Sequence, residues 1–161
     1  MFASTQSVIP NSVRRVVPED IDALVGLCGE HASFERTCYD VEGKESGLTD
    51  ALFGGNPKLK AWVAIVHGQA VGYATATEEF STWGAASFLH MDCLFVRPVH
   101  RNAGLGAALL NAVVQYARDS DLREVQWQTP AWNADACRFY QRHGGIGRQK
   151  IRFSLLIGRQ S

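Results

Sequence analysis

The sequence lacks an excess of charge of either sign. Among its 161 residues, Lys and Arg together number 16, Asp and Glu together also number 16, and the pI is about 7.0. Proteins dedicated to nucleic acid usually carry a strongly basic face and a pI above about 9. The charge balance therefore predicts no nucleic-acid partner.

Long apolar runs are also missing. No stretch approaches the roughly 18 apolar residues of a membrane span, and Pro10 interrupts the N-terminal segment 1–17, where a signal peptide would need an apolar core. We therefore expect no membrane association and a cytoplasmic location.

The sequence also lacks histidine and cysteine pairs at the spacings that are typical of metal ligands. The five histidines form no His-x-x-x-His pair, and the four cysteines form no Cys-x-x-Cys pair. Free cysteines in apolar segments behave as small hydrophobic residues. The sequence therefore predicts no metal site and four reduced thiols, at Cys28, Cys38, Cys93 and Cys137.

The composition that remains is that of a globular domain, with 46% hydrophobic and 20% charged residues. The length predicts a single domain over 1–161, with a core at about 12–157. Hydrophobic periodicity predicts an α/β fold that begins antiparallel and continues as β-α-β. It also predicts an irregular, mobile loop over 33–50. The predicted strands are 12–17, 61–66, 70–77, 88–96, 123–129 and 148–157. Four helices are predicted, one that begins at Pro18 and three that cover 48–53, 104–118 and 133–143.

The most informative stretch joins a strand at 91–96 to a helix through a glycine-bearing turn. Main-chain N–H groups at such a helix N-terminus cradle phosphate. Gly104 and Gly106 allow close approach of a ligand, and we expect a positive φ at Asn102. No lysine follows either glycine, and the frame from Gly104 ends in Leu109, which excludes a Walker A loop and a dinucleotide fingerprint. A tight turn with no ligand is the alternative.

Two motifs together resemble the GNAT superfamily of N-acetyltransferases. Arg-x-x-Gly-x-Gly at 101–106, preceded by Leu-Phe-Val-Arg-Pro at 94–98, resembles its acetyl-CoA-binding motif. The segment 132–144 resembles its last helix, with Asn133 near the start and Tyr140 seven residues later. The resemblance covers about residues 12–157.

Within that superfamily the chain is most similar to the diamine acetyltransferases, of the spermidine/spermine or thialysine type. The similar segments are 51–57, 81–83 and 94–98. Two positions depart from that group's usual pattern. Asp92-Cys93 stands where those enzymes carry Glu-Asp, and Ala131 replaces the acid of Asp-Trp-Asn.

The resemblance implies a mixed, mainly antiparallel central sheet flanked by about four helices. It also implies an acyltransferase that moves an acetyl group from its co-substrate acetyl-CoA directly to a primary amine. The acceptor would be a small cationic molecule such as a diamine, a polyamine or a lysine-like amino acid, and the protein would be a homodimer. The alternatives are an aminoglycoside-type antibiotic or a protein amine as acceptor, or a catalytically weak sensor of acyl-CoA.

The family's coenzyme-binding positions map onto twelve residues. Main-chain N–H groups at the end of the strand would hold the thioester carbonyl and the pantetheine arm, those of the loop would hold the pyrophosphate, and an asparagine would bind the pantetheine–phosphate region. The residues are Leu94, Phe95, Val96, Arg101, Asn102, Ala103, Gly104, Leu105, Gly106, Ala107, Asn133 and Arg142.

The resemblance also implies two catalytic side chains. Tyr140 maps onto the proposed general acid that protonates the coenzyme thiolate, with a buried aromatic role as the alternative. Asp92 is expected beside the thioester, as a base, as a binding group for the ammonium or as a structural carboxylate. Alternation along the strand predicts that Cys93 faces the opposite side from Asp92 and belongs to the core, with a covalent acetyl-cysteine route as the alternative.

Charge is divided along the chain despite the zero net charge. Twelve of the 16 acidic residues lie at or before Asp92, and ten of the 16 Lys and Arg residues lie at or after Arg97. This division favours an anionic coenzyme on the C-terminal part and a cationic amine on the N-terminal part.

Overall fold

The computed structural model describes residues 11–158, which divide into two compact units, one up to Gln128 and one from Thr129. Residues 159–161 lie outside the described residues, as do residues 1–10, part of the segment for which no targeting signal was predicted. Within 11–158, no helix combines the length and the apolar character that a bilayer crossing requires.

The first unit is a five-stranded sheet whose strands lie side by side in chain order. Neighbouring strands pair antiparallel except the last two, which are parallel. A parallel pair needs a long crossover, which a helix provides between these two strands. The α/β class and the mainly antiparallel sheet are confirmed. The strands are β1 (Ser12–Arg15), β2 (Leu59–Val66), β3 (Gln69–Ser81), β4 (Ala86–Val96) and β5 (Val125–Trp127).

Helices cover both faces of this sheet. Helices α1 (Ile21–Phe34) and α2 (Lys44–Phe53) pack on one face, and the crossover helix α3 (Leu105–Asp119) packs against β1 to β4. The second unit contributes α4 (Ala134–Arg142). The four helices match the number that the sequence predicted.

The side chains of strand β2 pack against helices on both faces of the sheet. Side chains alternate between the two faces of a strand. Val63 belongs to the core cluster with Leu24 and Leu27 of α1. Its neighbour Trp62 faces the other way, and its ring lies 5.7 Å from that of Tyr116 in α3. The nearly unbroken apolar run of β2 is thus the signature of a strand that is buried on both sides.

The segment 33–50 differs from the prediction of an irregular loop. Helix α1 extends to Phe34 and α2 begins at Lys44, four residues earlier than predicted. Gly43 and Gly47 had indicated a break. Gly43 instead stands at the start of α2 with φ of 71°, a conformation that glycine adopts without strain.

The prediction of a strand over 148–157 is wrong, because these residues form no strand in the structure. Their apolar side chains are solvent-exposed, for example Phe153 at 87% and Leu155 at 84%. Alternating apolar residues form a strand only where a neighbouring strand offers hydrogen-bond partners, and the pattern itself carries no information about that neighbour.

Two glycine-to-alanine variants test how tightly β3 and β4 are joined. A Cβ on Gly72 would lie 2.7 Å from the main-chain oxygen of Phe95 in β4. We therefore expect Gly72→Ala to destabilise the fold by about 1–3 kcal/mol in urea unfolding. Gly47→Ala is the control, because Gly47 is an exposed position of α2 and no atom lies within 4 Å of its Cβ position. It should stabilise by about 0.5–1 kcal/mol. Equal effects would contradict this account of the β3–β4 contact.

Candidate active site

Strand β4 contains a β-bulge at Asp92. Thr75 of β3 pairs with Cys93, whereas the next residue, Ala76, pairs with Met91. Asp92 is therefore the extra residue between two ladder partners. A bulge leaves one residue unpaired and shifts the phase of everything that follows it on the strand.

The bulge changes which main-chain N–H groups point away from β3. They point to the side of β4 beyond the end of β5, which we call the open edge. Arg97 N–H donates to the Val71 oxygen of β3. Because N–H directions alternate along a strand, the N–H groups of Leu94 and Val96 point away from β3. Strand β5 pairs with β4 only over residues 89–91. Among the described residues, the two N–H groups thus face an edge with no ladder partner.

The turn after β4 has the conformations that the motif predicted. Asn102 has φ of 61° and Gly104 has φ of 80°, so the expected positive φ at Asn102 is confirmed. No atom lies within 4 Å of the position that a Cβ on Gly104 would take. Within residues 11–158, no protein acceptor binds the main-chain N–H groups of 102–107. Converging N–H groups of this kind fit phosphate oxygens.

The Arg101 side chain turns back toward the sheet. Its Nε donates to the Val96 oxygen at 2.8 Å. Its guanidinium lies 4.6 Å from the ring centre of Phe34 in α1 and 5.7 Å from that of Phe95 in β4. This side chain therefore joins the start of the loop to α1, while the Phe95 side chain is buried below it.

Cys93 was predicted to face away from Asp92. Because of the bulge, the two side chains instead lie on the same face of the strand. Cys93 Sγ lies 3.6 Å from Asp92 Oδ2, and Cys93 packs against the core cluster under α1. Burial raises the pKa of the Cys93 thiol to about 12. The thiol is protonated at neutral pH, so it is a poor nucleophile.

A second group of polar side chains lies on the same face and was missed from the sequence. His31 of α1 makes one hydrogen bond through each ring nitrogen, at 2.9 Å from Nδ1 to the Tyr73 hydroxyl and at 3.2 Å from Nε2 to Glu35. Its ring stacks on Phe95 at 5.0 Å. The His31–Glu35 spacing of four is the helical signal that could have found the pair, but residues 33–50 were interpreted as a loop.

Burial lowers the pKa of His31, and the nearby carboxylates of Glu35 and Asp92 oppose that effect. Arg101 lowers the pKa further by charge repulsion. The His31 side chain is 13% exposed and Glu35 is 37% exposed. The imidazole is therefore held neutral between two carboxylates that reach solvent.

The remaining predicted residues lie in the second unit. Asn133 precedes α4, and its Oδ1 accepts the Ala136 N–H at 3.1 Å, so Asn133 caps the helix. Tyr140 follows after seven residues, which is two helical turns, and therefore lies on the same side of α4 as Asn133. Its ring is half-buried and meets the edge of Phe139 at 5.2 Å. Arg142, two residues later, lies on another side of the helix.

Comparison with known proteins identifies the class. A family model described as the acetyltransferase (GNAT) family matches residues 26–145. The chain therefore belongs to the GNAT family of acetyltransferases, whose members use acetyl-CoA as co-substrate, and the acyltransferase activity expected from the motifs is supported.

Individual relatives are distant. The chain is 26% identical to thialysine N-epsilon-acetyltransferase of Caenorhabditis elegans, over 78% of this chain and 76% of that protein. It is 25% identical to D-amino-acid N-acetyltransferase HPA3 of Saccharomyces cerevisiae, over 80% of each. A solved structure described as a probable acetyltransferase matches the fold with a TM-score of 0.78 at 18% identity, over 92% of this chain and 99% of that one.

The loop geometry predicts a selective loss of coenzyme binding in Gly104→Ala. The methyl group enters open space beside the N–H groups, and φ of 80° strains any residue with a Cβ. Gly68→Ala in the β2–β3 turn is a matched control, with φ of 78° and an equally open Cβ position. Both variants should lose about 1–2 kcal/mol of stability. Only Gly104→Ala should weaken coenzyme A binding, by about tenfold or more in calorimetry. Equal binding by both variants would contradict a phosphate site here.

The lowered pKa of His31 predicts a pH dependence of stability. A histidine that is kept neutral by the fold binds its proton more readily in the unfolded chain, so stability falls as the pH drops below about 6.5, the unfolded value. His31→Gln should flatten the fall in melting temperature between pH 7 and pH 5. His67→Gln in the β2–β3 turn serves as the control. A steeper fall in His31→Gln would show the opposite sign of the shift.

Proposed function

We propose that this protein transfers an acetyl group from acetyl-CoA directly to the primary amine of a small cationic molecule. A diamine, a polyamine and a lysine-like amino acid are the acceptors of this class. The observation that carries the proposal is the open edge of β4, where the bulge turns the N–H groups of Leu94 and Val96 away from β3.

The open edge and the loop together provide for the coenzyme. The N–H groups of Leu94 and Val96 would hold the pantetheine arm and the thioester carbonyl, where donors stabilise the developing oxyanion. The N–H groups of residues 102–107 would hold the pyrophosphate, whereas the Arg101 N–H, which the motif also assigned to it, donates to the Pro98 oxygen at 3.2 Å. On the second unit, Asn133 keeps its amide nitrogen for a ligand, because its oxygen caps α4. The roles of Asn133 and Arg142 rest on the motif.

Two carboxylates favour a cationic acceptor. Asp92 is 66% exposed at the bulge, and Glu35 is 37% exposed on α1. Glu35 contacts His31, and Asp92 lies beside Cys93, which packs on the core cluster under α1, so both carboxylates lie on the α1 side of the sheet. Two other acids of the N-terminal half, Asp20 and Glu30, are paired with arginines. Glu30 is held by Arg97 at 2.7 Å. The named relatives act on amino compounds, which agrees with an ammonium between Asp92 and Glu35.

The state of the Cys93 thiol supports direct transfer. The pKa of about 12 keeps Cys93 protonated, which disfavours an acetyl-cysteine intermediate. The neutral amine attacks the thioester carbon, the carbon–sulfur bond breaks, and the departing thiolate needs a proton. We assign that proton to the Tyr140 hydroxyl, because a tyrosine is a usable donor at neutral pH.

A thiol-release assay over a panel of amines tests the acceptor class. We expect turnover with diamines, polyamines and lysine-like amino acids, and much less with aminoglycosides or peptides run in parallel. If coenzyme A raises the melting temperature but no amine is acetylated, the transferase proposal fails and an acyl-CoA sensor is favoured.

Tyr140→Phe tests the assigned acid. Removing the hydroxyl should lower kcat by about 10²–10⁴, the usual scale of general acid–base catalysis, with little change in coenzyme A affinity. Tyr116→Phe is the matched control, because Tyr116 packs on Trp62 in the α3 layer. A Tyr140→Phe enzyme with unchanged kcat would assign the thiolate's proton to another group.

A further inference from the structure

The segment between α1 and α2 places the ring of Tyr39 against helix α1. Tyr39 is half-buried, and its Cδ1 lies 3.3 Å from the position that a Cβ on Gly29 would take. A side chain at position 29 would push the ring outward, because carbon atoms pack best at about 3.5–4.0 Å. Gly29 thus lets an aromatic ring lie close to the helix.

Side-chain contacts link Tyr39 to the polar groups of the candidate site. Its hydroxyl is a hydrogen-bond partner of the Cys28 thiol on α1. The Tyr73 hydroxyl of β3 lies within hydrogen-bond reach of the thiols of both Cys28 and Cys93. Cys93 Sγ lies 3.6 Å from Asp92 Oδ2. Tyr39 therefore lies on the α1 side of the sheet, at the end of a series of contacts that begins at Asp92.

A primary ammonium already lies over this ring. Lys44 Nζ is 5.7 Å from the ring centre of Tyr39, which is inside the distance of about 6 Å at which a cation is attracted to an aromatic face. Lys44 is exposed and begins α2, so its side chain reaches the ring from solvent. An ammonium on a flexible four-carbon stem is also the chemistry of one end of a diamine. The ring face is thus accessible to an alkylammonium group.

The charges near the ring favour a cation. Residues 40–45 contain the acids Asp40, Glu42 and Glu45 against one base, Lys44. Burial raises the pKa of Tyr39, so its ring is uncharged at neutral pH. A neutral aromatic face attracts a cation through its quadrupole, and the surrounding acids raise the local concentration of cations.

We propose that the ring face of Tyr39 binds the second, non-reacting ammonium of a diamine-type acceptor, in exchange with the ammonium of Lys44. The reacting ammonium is the one that Asp92 and Glu35 hold under the proposed function, on which this inference rests. The acceptor therefore lies along the α1 side of the sheet with one charged end at the carboxylates and the other at the ring.

Two consequences for specificity follow from this arrangement. A monoamine engages the carboxylates alone, so Tyr39 determines the preference for acceptors with two charged nitrogens. Lys44 competes for the same face, so it weakens the binding of every such acceptor. Tyr39 thus acts on KM rather than on the chemical step, because it binds the end of the acceptor that does not react.

Matched amines test the subsite. A four-carbon diamine and butylamine share one carbon chain, and only the diamine has a second ammonium. We expect Tyr39→Leu to raise KM for the diamine about three- to thirtyfold, the range of a cation–π contact, with little change in kcat. KM for butylamine should stay unchanged. Tyr39→Phe keeps the ring face and loses the hydroxyl, so it should keep the low KM for the diamine.

Lys44→Met tests the exchange without touching the packed ring. The variant removes the competing ammonium and keeps a long unbranched side chain, so KM for the diamine should fall about two- to fivefold. Lys58→Met is the matched control, because it removes the same charge from an exposed lysine between α2 and β2. An equal fall in both variants would show a general charge effect and would overturn the exchange at Tyr39.

The remaining outcomes separate this inference from the proposed function. If the unaltered chain acetylates neither amine, the proposed function fails and the inference fails with it. If the diamine is acetylated and Tyr39→Leu changes KM for both amines equally, or for neither, only the inference fails. Calorimetry of diamine binding in the presence of coenzyme A gives a readout without turnover, in which Tyr39→Leu should lose affinity by the same factor as in KM.

Discussion

The bulge at Asp92 is the constraint on which the candidate site depends. One extra residue in β4 shifts the strand's phase, so that Leu94 and Val96 present their N–H groups to the side where β5 has already ended. The same shift brings Asp92 and Cys93 to one face of the sheet. With regular pairing, those N–H groups would be consumed by the β3 ladder. Bulges commonly redirect a strand in this way beside functional sites.

The second requirement is that α1 lies against the end of β4. Burial of Leu24 and Leu27, both 0% exposed, supplies most of the attraction, at about 1.5–3 kcal/mol for each side chain. The exposed Glu30–Arg97 ion pair adds little energy, since such pairs contribute about 0–1 kcal/mol. The ion pair does fix the position of α1, because Arg97 also donates to the Ala70 oxygen and lies just before the glycine-bearing turn that follows β4. Helix α1 thereby brings Glu35, the residue that follows it, to the same face of the sheet as Asp92.

The bulge and the position of α1 together place the polar side chains of the candidate site on one face of the first unit. The carboxylates of Glu35 and Asp92 reach solvent, and the imidazole of His31 is shielded from it. The thiol of Cys93 lies in the interior and is protonated. Low exposure favours the neutral imidazole, and the nearby carboxylates oppose that effect.

The sequence by itself determined the class, the glycine-bearing turn after β4 and most element positions, because these depend on contiguous residues. The positive φ of Asn102 is of this kind. Only the tertiary structure decided the bulge, the short β5, the unpaired segment 148–157 and the His31 cluster. His31 and Tyr73 are 42 positions apart, and Glu30 and Arg97 are 67 apart. Such partners are chosen by how α1 and the strands pack, and a local pattern carries no information about which distant residue lies opposite.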